Sequence, residues 1–280
     1  MKYIPEEALR ALHSRVEGDC GLYISVPGAG EALDLDGHKV INAASTIKVP
    51  LLALLLKDGE EGRLDLHAPL AMDPVNQVPG SGVLRSLTNV TMSLWDYAVL
   101  MTVISDNSAT DMVIDAVGID RANAFFAQEG WRETHLAGKL YFPKAILPDG
   151  TEDFNSTSAA DLGDMLERMM AGTLVSPTVS DRMMRIMAAQ QLGRFAQVLP
   201  VQRCPDTTKP MPERPAEGKV LMCNKTGSLN NKAAHDAAAI ILPDGTKATI
   251  TVLTATSNNA KAEAIMKEMA QVFYRHLTEA

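Results

Sequence analysis

The apolar positions of this chain change their period several times along its length. Near the N-terminus Leu9, Leu12 and Val16 alternate with Glu6, Glu7, Arg10 and Arg15, the spacing of an amphipathic first helix. Residues 21–26 and 31–36 then read as two strands, with Pro27, Gly28 and Gly30 marking the turn between them. From about Ser45 to Gln191 the pattern is mostly helical. The dense apolar run at 49–56 reads as a buried core helix, and 94–104, 109–117 and 159–170 carry helical spacing, with Ser93 placed as an N-cap. Four prolines between Cys204 and Gly218 predict a loop. Three strand-like runs follow at 219–223, 237–242 and 248–253, with Pro243-Asp-Gly245 turning between the last two. A helix over about 259–277 closes the chain.

Strands at both ends with helices between them predict one antiparallel sheet built from the two termini, with a helical lobe inserted. The expected division of this single domain is an α/β lobe from 1–44 and 192–280 and an all-α lobe from 45–191.

Composition mainly excludes. With 46% hydrophobic and 21% charged residues the chain reads as globular, and a net charge of −8 argues against a nucleic-acid partner, which needs a basic face. No apolar run reaches the roughly 18 residues a membrane span needs. The first residues show no apolar signal-peptide core or cleavage pattern, and Cys20, Cys204 and Cys223 form neither a disulfide framework nor a metal knuckle. A cytoplasmic protein is the simplest expectation, with oligomeric state open. His13, His38, His67, His135 and His276 have no metal spacing, and Gly28 and Gly30 lack the third glycine of a dinucleotide fingerprint, so neither metal nor cofactor is expected. The methionines at 165, 169, 170, 183, 184 and 187 read as core fillers.

The chemistry lies in three short motifs: Ser45-Thr-Ile-Lys48 at the start of the buried helix, Ser105-Asp-Asn107 at a helix-to-helix junction, and Lys225-Thr-Gly227 on a strand after the proline-rich loop. A serine three residues before a lysine on a helix puts both side chains on one face, within hydrogen-bond reach. Lys48 can act as a base only if its pKa falls from about 10.4 toward 7, which takes burial and a second cation; Lys225 is that cation. S-x-x-K, S-D-N and K-T-G in this order mark class A β-lactamases and penicillin-binding proteins.

The chain resembles that superfamily further, in Gly80-Ser-Gly-Val-Leu84, in 101–112, and in Lys225-Thr-Gly-Ser-Leu229 followed by His235-Asp236. The resemblance implies a three-layer α/β/α lobe flanked by the N- and C-terminal helices, an all-α lobe, and an active site between them. It implies Ser45 as nucleophile, Lys48 as base, Ser105 as proton relay and Lys225 as the charge beside them. Asn107 would hold the substrate's carbonyl side, and the N–H groups of Ser45 and Ser228 the oxyanion. Thr226, Gly227 and Ser228 would line a site for a carboxylate-bearing small molecule. His235-Asp236 reads first as structural, at the start of a strand, with His235 kept as a candidate substrate-lining residue.

One departure stands out. Class A β-lactamases carry a deacylating glutamate in an E-x-x-L-N loop, whereas residues 136–144 here hold no carboxylate and Tyr141 lies near the expected place. Glu152 is nearby but at the wrong spacing. The expected function is a serine hydrolase or acyl transferase acting on β-lactam-like amides. The alternatives are a cytoplasmic amidase, carboxypeptidase, esterase or transacylase on another metabolite, and a penicillin-binding receptor without turnover.

Overall fold

A computed structural model describes residues 3–279 of the chain. The helices are α1 (Glu6–His13), α2 (Lys48–Glu60), α3 (Leu94–Val103), α4 (Asn107–Val117), α5 (Ile119–Glu129), α6 (Ala159–Ala171), α7 (Pro177–Ala188) and α8 (Asn259–Glu279). The strands are β1 (Asp19–Val26), β2 (Glu31–Leu35), β3 (Ile41–Asn42), β4 (Leu70–Ala71), β5 (Thr91–Met92), β6 (Ser156–Thr157), β7 (Leu221–Leu229), β8 (Ala233–Ile241) and β9 (Lys247–Ala255). The strand carrying Lys225 is longer than its apolar run, because Asn224 to Ser228 continue the ladder with β8.

Five strands form one antiparallel sheet in the order β2-β1-β9-β8-β7, with β7 on the edge. Strand β8 is buried along its whole length, and Ala237, Ala238 and Ala239 let helices approach both of its faces. On one face Leu9 and Leu12 of α1 and Ile265, Met269 and Phe273 of α8 share a core with Leu22, Ile24, Ile240 and Ile250. On the other face the sheet is covered by α6 and α7, whose Leu162, Met165, Met183 and Met187 join a second core with α2 and α4.

The expected boundary at residue 191 therefore separates stretches of sequence but not layers of packing. Helices α6 and α7 belong to the expected helical segment yet lie on the sheet, because their apolar stripes have the sheet's second face to bury. At the centre, residues 51–56 of α2 are fully buried, which explains an apolar run without a polar side.

Local chemistry sets the element ends that matter for the site. Ser93 and Asp96 form a capping box on α3. Asp106 caps α4 by accepting from Ala109 N at 2.9 Å. No helix among the described residues is long and apolar enough to cross a membrane.

Candidate active site

Three segments far apart in sequence meet where the edge strand β7 faces the start of α2. Ser45 sits in a 3-10 turn, Ala44–Ile47, that runs into α2 at Lys48. Ala44 has φ 45°, and its N–H is held by Asn42 Oδ1 at 3.0 Å. Strand β7 packs against this turn through Gly227. A Cβ there would lie 2.7 Å from His235 Cδ2, 3.1 Å from Ala43 O and 3.2 Å from Ala44 Cβ. Only glycine lets the strand come this close.

The Ser105-Asp106-Asn107 segment is pinned between α3 and α4. Ser105 takes φ 58°, uncommon for a residue with a side chain and of the kind that collects at functional sites. Asp106 Oδ2 accepts from Val83 N at 2.6 Å and Leu84 N at 2.9 Å, so one carboxylate caps α4 and ties down the 80–84 loop. Asn107 N donates to Ser81 O at 3.0 Å and Asn107 Nδ2 to Pro79 O at 3.0 Å.

Lys48 is fully buried and donates to Ser105 O at 2.8 Å, Ser105 Oγ at 3.0 Å and Asn107 Oδ1 at 2.9 Å. The direct Ser45–Lys48 bond expected from the spacing is not formed. These three acceptors take up the lysine, and the Ser45 hydroxyl is left without a hydrogen bond among the described residues, on the wall of a cavity of about 620 Å³. Lys225, also fully buried, donates to Ser105 Oγ at 3.0 Å and Thr226 O at 3.0 Å. Burial holds the Lys48 pKa well below that of a free lysine, and the positive charge of Lys225 lowers it further against the opposing pull of Asp106 and Asp111. Burial brings Lys225 down to about 7, with Asp236 opposing and Arg194 assisting.

Thr226 is buried on β7 and Ser228 reaches the cavity. Ser228 Oγ accepts from Arg194 Nη2 at 2.6 Å. Sequence reasoning misses this arginine, since no local motif surrounds it and it comes from the loop after α7. It is 8% exposed and held from three sides. Nη1 donates to His235 O at 2.8 Å, Nη2 also to Glu263 Oε1 at 2.9 Å, and its own N–H to Asp236 Oδ2 at 2.7 Å. Asp236 further accepts from Phe195 N and from Asn224 Nδ2, so its role is to fasten the arginine's loop to β7 and β8.

His235 is not on the cavity wall. It is fully buried beneath the Ala44–Ile47 turn, with Nε2 donating to Asn42 O at 2.8 Å and Nδ1 accepting from Thr254 N at 3.1 Å. Burial lowers its pKa to about 4, so it stays neutral. As the cross-strand partner of Gly227, it fills the space under the turn that the glycine leaves.

Tyr141 does line the cavity, 65% exposed and with φ 61°. A Cβ on Gly80 would stand 2.6 Å from its hydroxyl and 2.3 Å from Asn107 Nδ2, so Gly80 leaves room for both. Glu152, whatever its spacing along the chain, also lines the cavity, as does Leu140. The chain folds back in a short hairpin, with Asp153 N donating to Ala145 O at 2.8 Å and Lys144 N to Glu152 Oε1 at 3.2 Å. Among the described residues no group of three or more His, Cys, Asp or Glu side chains could hold a metal ion.

The model of the β-lactamase enzyme family matches residues 4–277. A β-lactamase from Rhodobacter capsulatus is 23% identical over 263 residues, covering 92% of this chain and 84% of its own. The crystal structure of a β-lactamase from Sphaerobacter thermophilus superposes with TM-score 0.82 at 26% identity, over 98% of this chain and 97% of its own. A leucine-to-glutamate mutant of PBP-A, solved as an acyl-enzyme complex with penicillin G, does so with TM-score 0.82 at 26% identity, over 98% and 96%.

Proposed function

The chain belongs to the β-lactamase enzyme family, and from that premise we propose that it is a serine acyl-transfer hydrolase that opens β-lactam-like cyclic amides through an ester on Ser45. The observation that carries this reading is the Ser105 hydroxyl, 3.0 Å from Lys48 Nζ and 3.0 Å from Lys225 Nζ, with the Ser45 hydroxyl free on the wall of the cavity that Asn107 also lines.

Neutral Lys48 keeps two N–H bonds for Ser105 O and Asn107 Oδ1 and has a lone pair for a proton. Ser45 Oγ bonds to the amide carbon as its proton passes to Lys48. The oxygen that gains charge meets the N–H groups of Ser45 and Ser228. When the tetrahedral intermediate collapses, the C–N bond breaks, and the proton moves from Lys48 through the Ser105 hydroxyl to the leaving nitrogen. Lys225, Thr226 and Ser228 receive a substrate carboxylate, with Arg194 charged behind Ser228.

Water then attacks the ester, with Lys48 again the base. Leu140 and Tyr141 present no carboxylate to that water, and Glu152 is an exposed residue whose Oε1 is engaged by Lys144 N. Acylation is therefore fast relative to deacylation. Mixing the protein with a chromogenic cephalosporin tests this. A burst of one equivalent followed by a slow steady state is expected. A steady rate from the first turnover, with no burst, would contradict it.

A further inference from the structure

Asp111 is the buried acid that this mechanism leaves unused. It lies one helical turn after Asn107 on α4, so the two share a face of the helix. Asn107 Oδ1 is an acceptor of Lys48 Nζ, so Asp111 stands one helical turn beyond the residue that holds the base. Its side chain is fully buried. Oδ1 accepts from Leu140 N at 2.8 Å, the residue that begins the loop wall of the cavity. Oδ2 meets no donor among the described residues.

We propose that Asp111 is a positioning residue of the acylation site: Oδ1 latches the loop wall at Leu140, and the unpaired Oδ2 supplies the negative field that raises the proton affinity of Lys48. Lys139 and Lys144 are the cations of the loop that favour the charged form of Asp111, and each already has partners of its own. Lys139 is engaged by both oxygens of Asp115 at 2.9 Å. Lys144 Nζ is spent on the carbonyls of Lys139 and Phe142, and burial weakens its hold on a proton. Asp106 and Asp115, on the same helix and at its cap, add negative charge of their own. Of the cations near Asp111, Lys48 is the one whose protonation the reaction uses.

The field is itself dependent on pH, since burial lifts the Asp111 carboxyl to about 6. Above that pH the anion favours the charged lysine. As pH falls through it, Asp111 takes a proton and its pull on Lys48 fades. The two groups titrate as a pair, and the acidic limb of acylation belongs to both.

The experiment is the pH profile of the acylation burst in Asp111→Asn, which keeps an oxygen for Leu140 N but removes the charge. The acidic limb moves to lower pH by about one unit, the effect of one unit charge close behind the base at moderate dielectric. Asp111→Ala, which also loses the latch, shifts the limb likewise and slows acylation as well. A limb that stays in place or moves to higher pH in Asp111→Asn overturns the inference. A reciprocal measurement needs no change at position 111: the NMR titration midpoint of the Asp111 carboxyl rises in Lys48→Met, and an unmoved midpoint also overturns it. The inference rests on Lys48 as base. An unchanged burst in Lys48→Ala would remove that reading. A burst lost there, with an unshifted Asp111→Asn profile, removes this inference alone.

Discussion

Lys48 and Lys225 meet on a single atom, the Ser105 hydroxyl, which lies 3.0 Å from each Nζ. Two buried ammonium groups so close repel by about 3–4 kcal/mol at an effective dielectric near 20, enough to move a proton affinity by about two to three pH units. Each lysine therefore limits the charge of the other, and the pH dependence of the enzyme should report both.

The first prediction concerns Lys225, whose pKa is about 7. A lysine with a depressed pKa is charged below that value and neutral above it. Affinity for a substrate carboxylate should fall as pH rises through about 7, as a rise in KM more than a loss of kcat. A penicillin and its methyl ester, assayed side by side, check this. The limb should be present for the acid and weak for the ester, and equal limbs would count against a carboxylate at Lys225. In Lys225→Ala the acidic limb of acylation should move to higher pH, because Lys48 loses its repelling neighbour.

Gly227→Ala tests the seating of β7 against the nucleophile turn. The new methyl meets His235 Cδ2 at 2.7 Å and Ala43 O at 3.1 Å, so the strand has to back away. Displacement of a catalytic group by about 1 Å costs on the order of 10²-fold in rate. The acylation rate should drop by about that factor while the melting temperature changes by only a few degrees. Acylation at the wild-type rate would show that the contact relaxes without moving Ser45.

His235 makes stability depend on pH with a definite sign. Its pKa is about 4 in the fold against 6.5 for a free histidine, so the unfolded chain binds a proton first as pH falls. Stability is complete above about 6.5 and is lost as pH drops toward 4, by on the order of 3 kcal/mol from this residue. Urea unfolding at pH 7 and pH 5 measures the loss, and His235→Gln should reduce the difference between the two. An equal difference in the variant would assign the acid sensitivity elsewhere.

Turnover is the step in which the cavity wall matters most. Glu152→Gln should leave the slow steady-state rate with penicillin unchanged. Leu140→Glu, on the same wall with its N–H still held by Asp111, should raise that rate by roughly 10²–10⁴-fold, the value of a positioned general base. If Glu152→Gln instead trapped the acyl-enzyme, Glu152 rather than Lys48 would be the base that activates the deacylating water.

What can be seen in the sequence follows the range of each interaction. Ser45 and Lys48 sit one turn apart, and Ser105 and Asn107 share one junction, so residue order alone brings them to notice. Arg194 reaches Ser228 across 34 positions of chain, and its partners Asp236 and Glu263 are farther still, so no window of sequence contains its role. Glu152 looks misplaced in the sequence because distance along the chain is not distance in space, and the hairpin that returns it rests on backbone bonds such as Asp153 N to Ala145 O. His235 is ambiguous for a similar reason. Its place on a strand is legible, but the turn at Asn42 that covers it comes from the other end of the chain. Strand β8 extends beyond its expected start because Ala233 to Asp236 are held by pairing with β7 and β9 rather than by their own apolarity.

Ser45 as the residue that carries the acyl group is the central claim, and peptide mass mapping tests it most directly. The protein is mixed with excess penicillin G, quenched within the burst and digested, and the modified peptide is sequenced by fragmentation. One penicilloyl group per chain is expected on Ser45, with none on Ser45→Ala under the same conditions. An adduct on any other residue, or full labelling of Ser45→Ala, would contradict that claim.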